Sequence, residues 1–111
     1  MDIPYAHGGL VVNVSEMGLL VGCIKDILVG SRLSITVLFP EGYELANFEV
    51  LTEVVWRDIH WDDDNRKKYQ YGLEFVSIKE HDRLKLGQLL YGRVNLDEIS
   101  CNLGTRASFV R

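Results

Sequence analysis

Asn13-Val14-Ser15-Glu16-Met17-Gly18 places an amide, a hydroxyl and a glycine within six residues, between two apolar runs. The asparagine amide donates and accepts, serine does both from a shorter arm, and glycine lets the backbone come close to a flat ligand. A corner of this kind suits the hydrogen-bonding edge of a purine base. The same residue types also build ordinary turns and bulges, so the pattern acquires meaning only from what surrounds it.

Other reactive residues are sparse. His7, His60 and His81 show no HExxH-type or similar ligand spacing, so no metal site is expected. The chain contains no Gly-Lys-Ser/Thr phosphate loop, no GxSxG elbow and no dinucleotide fingerprint. Asp62-Asp63-Asp64 lacks the alternating ligands and closing glutamate of a calcium loop and reads as a solvated hairpin tip. Cys23 and Cys101 lack the dense spacing of a disulfide scaffold and read as ordinary thiols. Trp56 beside Arg57 offers a stacking or cation–π surface, although a strand tryptophan also belongs naturally in a core. Arg106 and Arg111 would reach a ligand only if the C-terminal segment folds back. Binding is better supported than catalysis, and the chain is expected not to be an enzyme.

The elements that must position these residues are mostly strands. With 111 residues, 47% of them apolar, the chain suits a single core. Twelve Lys and Arg against sixteen Asp and Glu give a net charge of −4, which opposes nonspecific attraction to DNA, RNA or an anionic bilayer. No apolar run approaches the roughly 20 residues that span a bilayer, and Met1-Asp2-Ile3-Pro4-Tyr5 does not resemble a secretory signal, so a cytoplasmic location without membrane insertion is expected. Residues 10–14, 19–24, 33–39, 48–59 and 69–76 carry the strand signature, with Gly8-Gly9 turning a hairpin from residues 3–6 and Pro40-Glu41-Gly42 forming a second turn. In residues 48–59 the apolar parity exchanges, which predicts a bulge near Glu53. A capping box of Ser77 and Glu80 then opens a helix bearing Leu86, Leu89, Leu90 and Val94, with Gly87 allowing close packing on the sheet. The expected domain is residues 1–95, followed by a tail at 96–111.

Several motifs in this order resemble a PilZ domain. Residues 11–21 match its D/N-x-S-x-x-G strand corner, and Val29-Gly30-Ser31-Arg32-Leu33 is similar to its G-x-x-L lead-in to the next strand. Val54-Val55-Trp56-Arg57 and Tyr71-Gly72-Leu73-Glu74-Phe75-Val76 resemble two later strands, before the expected helix. The resemblance implies an all-β fold, a six-stranded antiparallel split β-barrel with a C-terminal α-helix, and a bacterial receptor for the second messenger cyclic di-GMP. It also implies that Asn13, Ser15 and Gly18 read a guanine, with Trp56, Arg57 and Arg106 as further candidate contacts. In the family an upstream R-x-x-x-R segment grips the phosphates, a role suited to forked guanidinium donors; residues 1–12 contain no arginine. Either that segment precedes Met1 in a longer parent carrying a fused effector domain, or the grip is lacking. The second case implies an adaptor that docks a protein partner of a motility, secretion or exopolysaccharide system.

Overall fold

The computed structural model describes residues 7–43, 46–61, 63–92 and 94–105. Six antiparallel strands close into a barrel in the order β1-β2-β5-β4-β3-β6. They are β1 (His7–Val14), β2 (Gly18–Cys23), β3 (Arg32–Leu38), β4 (Phe48–Trp61), β5 (Lys67–Ile78) and β6 (Ser100–Thr105). One helix, α1 (Glu80–Leu90), lies between β5 and β6. Alternation along the strands decides what is inside: Leu33, Ile35 and Val37 of β3 face Phe48, Val50 and Val54 of β4 across a core that also holds Val21, Tyr71 and Leu103. Thr52 is buried among them, and its hydroxyl donates to the Leu33 carbonyl at 3.1 Å. That bond removes the cost of burying the polar group.

The sixth strand comes from an unexpected place. Residues 100–105, expected as part of a tail, fill the lane between β1 and β3, so the barrel does not end at residue 95. Leu103 and Cys101 alternate inward and are buried, but a period-2 run of so few residues beyond a helix is too short to stand out from coil. The hairpin expected from residues 3–6 falls outside the described residues, and Gly8-Gly9 makes no turn, because both glycines lie inside β1. A Cβ on Gly9 would meet the Leu103 side chain at 2.8 Å, so this glycine lets β6 pack against β1.

Two further expectations change in detail. Ser77 ends up in β5, and α1 starts after Lys79 with no side-chain cap, so packing of Leu86 and Leu89 onto the barrel, rather than a capping box, holds the helix. Gly87 does not touch the sheet; a Cβ there would meet only the Tyr91 ring, at 3.7 Å. The bulge expected near Glu53 is present as a pair of register shifts flanking it, between Leu51 and Thr52 and between Val54 and Trp56. The turn at Pro40-Glu41-Gly42 forms as expected, closed by the Tyr43 N–H on the Pro40 carbonyl at 2.9 Å, with Gly42 at φ 96°.

Tyr71 ties the loop between β2 and β3 to the barrel floor. Its hydroxyl accepts the Ile27 N–H at 2.7 Å and donates to the Lys25 carbonyl at 2.5 Å. Cys23 and Cys101 are both free and buried, and burial pushes the Cys101 thiol up to about 12. A neutral, buried thiol is core filler rather than a nucleophile.

Because β6 seals two strand edges at once, a chain ending at Ile99 is expected to lose the sharp thermal unfolding transition seen for the full chain by circular dichroism. A truncated chain that melts as cooperatively as the full one would show that β6 is an accessory to a barrel already complete.

Candidate functional site

The corner between β1 and β2 is built by Ser15. Its N–H donates to the Gly18 carbonyl at 3.0 Å, and its Oγ accepts the N–H groups of Met17 and Gly18 at 3.1 and 3.2 Å. The hydroxyl thus organises the turn, and its acceptor capacity is spent on main chain. Gly18 has a structural duty too. A Cβ there would overlap the Leu73 carbonyl, so glycine is what lets β2 come this close to β5. Of the three residues expected to read a ligand, Asn13 retains the most freedom. Its Oδ1 accepts the neighbouring Val14 N–H at 2.8 Å, while its Nδ2 has no partner among the described residues.

Beside the corner lies an open groove of about 300 Å³, lined by Asn13, Ser15, Leu20, Trp56, Gly72 and Glu74 among others. Trp56 reaches it because of the second bulge. Val54 is fully buried opposite Leu73; Val55 has no partner on β5; Trp56 then pairs with Gly72 and is 45% exposed. In a regular strand, with Val55 paired opposite Gly72, the indole would continue the inward parity of Phe48, Val50 and Val54. Instead it lies across Gly72, where a Cβ would overlap the indole ring. Trp56 is therefore a wall of the groove rather than a core residue. Gly72 was not singled out as a site residue, although a lone glycine inside an apolar strand is the usual mark of close approach.

Arg57 does not join this group. Arg57 pairs with Asp26 and lies over the Tyr69 ring at 5.5 Å, which makes it a clamp for the β2–β3 loop. Arg106 and Arg111 lie outside the described residues, and β6 leads away from the corner: Ser100 stands beside Leu10, whereas Thr105 has passed His7. Among the described residues, Glu74 is the one charged residue lining the groove, and no lysine or arginine lines it. Arg83 of α1 is the cation in the adjoining groove, which shares Met17 and Glu74 and adds Glu16. His60 sits 3.4 Å from Asp58 and His81 3.2 Å from Asp82, and no cluster of three metal-ligating side chains occurs among the described residues.

A family profile for the PilZ domain matches residues 4–92, which run from the approach to β1 through α1. The chain belongs to the PilZ domain family. Neither the curated proteins nor the solved structures contain a match to it. The match stops short of Ser100, so in this PilZ domain the closing strand β6 is supplied by sequence beyond the matched region. The fold is the one the resemblance implied, with one rearrangement: the helix precedes the last strand instead of ending the domain.

Two substitutions separate turn building from groove lining. Ser15→Ala removes an acceptor shared by two N–H groups and should lower the unfolding free energy in urea by about 1 kcal/mol, whereas Asn13→Ala should leave it unchanged. Gly72→Ala should force Trp56 off the strand and shift its fluorescence and near-ultraviolet dichroism. Unchanged tryptophan spectra would mean that the indole does not rest on Gly72.

Proposed function

We propose that this PilZ domain is a noncatalytic receptor that reads one guanine of cyclic di-GMP at the Asn13 corner. The observation that supports it best is the pairing, on one groove, of an asparagine amide with an unengaged donor and an exposed indole. The amide addresses a base edge and the indole offers a face for stacking. Ser15 and Gly18 contribute indirectly, by fixing the turn that presents Asn13. Occupancy becomes a signal only if the ligand favours one of two arrangements of the protein. The turn at Glu16 and Met17, which borders both grooves, is the segment best placed to change.

The phosphates are the weak half of this reading. Two charge-assisted hydrogen bonds at about 1.5–3 kcal/mol each correspond to roughly 10²- to 10⁴-fold in affinity. Neither residues 1–12 nor the described residues that line the groove provide an arginine for them, and Glu74 repels a diester. That charge pattern favours a second reading, in which the same barrel is an adaptor for a protein partner and takes no nucleotide.

Titration calorimetry with cyclic di-GMP at low salt distinguishes the two. The receptor reading expects a measurable affinity that falls about tenfold in Asn13→Ala and in Trp56→Ala, with thermal unfolding unchanged, and that rises in Glu74→Gln. Absence of heat from the parent chain and from Glu74→Gln alike would leave the adaptor.

A further inference from the structure

Strand β4 outruns its neighbour. Pairing with β3 ends at Glu53, and the last bonds on that side join Val54 to the loop, from the Gly30 N–H to the Val54 carbonyl at 2.7 Å and from the Val54 N–H to the Ser31 carbonyl at 2.9 Å. From Trp56 to Trp61 the strand pairs only with β5, and among the described residues nothing pairs with its other edge. The Ile59 N–H is instead taken by its own Asp58 carboxylate, at 2.9 Å. A bare edge of this length is a template for another strand.

The order of side chains along it selects the occupant. We infer that a second copy of this chain pairs here, edge to edge and antiparallel, about a two-fold axis through Ile59. In that register Ile59 meets its own symmetry mate, Asp58 stands opposite His60 of the second copy, and Arg57 opposite Trp61. Each Asp58 carboxylate gives up the Ile59 N–H to the ladder and takes a ring N–H from the facing imidazole, a change of partner that leaves no group unpaired. On the other face Arg57, which keeps its partner Asp26, stands beside an indole that is 61% exposed in the single chain. The neighbouring registers lack this match. Centring on residue 58 sets Asp58 against Asp58, and centring on residue 60 sets His60 against His60 and takes the imidazole away from Asp58. Like charges directly opposite are unfavourable, so the sequence admits one register and rejects its neighbours. The resulting interface is isologous and closed, as a two-fold contact must be. It uses the protruding hairpin rather than the Asn13 groove, so it stands whether or not nucleotide binds.

Sedimentation equilibrium on the full chain tests it. The mass should rise with concentration from 12.7 kDa toward twice that value. Ile59→Lys, which sets two ammonium groups face to face on the axis, should weaken the dimer at least tenfold without changing thermal unfolding. Asp58→Lys should weaken it as well, and adding His60→Glu should restore it by re-creating opposite charges in the same register. A mass fixed at that of one chain up to millimolar concentration would overturn the inference, as would a dimer indifferent to Ile59→Lys or a charge exchange that fails to restore pairing.

Discussion

Val55 has no partner on β5, and that single unpaired residue decides what the outer surface of this barrel can do. Strand β4 enters the bulge with its apolar side chains in the core and leaves it with Trp56 on the outside, lying on Gly72. A sheet has only two faces, so one inserted residue moves every following side chain from one to the other. The groove beside Asn13 exists because the indole forms its wall, and the residues that follow the bulge become the exposed half of a long hairpin. Were β4 to run on without the bulge, with Val55 opposite Gly72, Trp56 would stand opposite Tyr71 and turn into a core already filled, and the groove would lose its wall.

The corner opposite Trp56 is held with similar economy. One hydroxyl, on Ser15, satisfies two N–H groups of a turn, and Gly18 allows the turn to sit against β5 with no side chain between them. In the proposed receptor these two residues act on the ligand through position, and Asn13 through contact. Among the described residues, nothing that lines the groove carries positive charge. Glu74 is its charged lining residue, Arg57 is held by Asp26, and Arg83 stands in the adjoining groove. A base-reading corner and a phosphate-holding clamp are separable parts of one recognition problem. Among the described residues there is a candidate for the first and no groove residue for the second.

Much of the barrel was legible in the sequence because period-2 patterning over strands of ordinary length is a strong signal. The parity exchange around Glu53 even located the bulges. The failures have a common physical origin, in that the deciding contact joins residues far apart in the chain. Gly8-Gly9 has the composition of a turn, yet Gly9 is small because Leu103 packs on it. Ser77 and Glu80 have the spacing of a capping box, yet Ser77 is needed for the β5 ladder opposite Leu51. Residues 100–105 are too few to declare themselves as a strand until β1 and β3 leave a lane open for them. At the site, the Asn13 motif was legible as a corner, but the division of labour within it was not. Nor was the role of Trp56, whose outward orientation depends on the partner strand.

In the proposed receptor the Asn13 amide and the Trp56 indole form one recognition surface for a guanine. Proton–nitrogen correlation spectra recorded during a titration with cyclic di-GMP address it directly, because both side chains carry N–H groups with their own signals. The account predicts that the Asn13 side-chain amide and the Trp56 indole N–H move together and saturate at the same ligand concentration. Shifts confined to other parts of the barrel, with these two signals stationary, would contradict it.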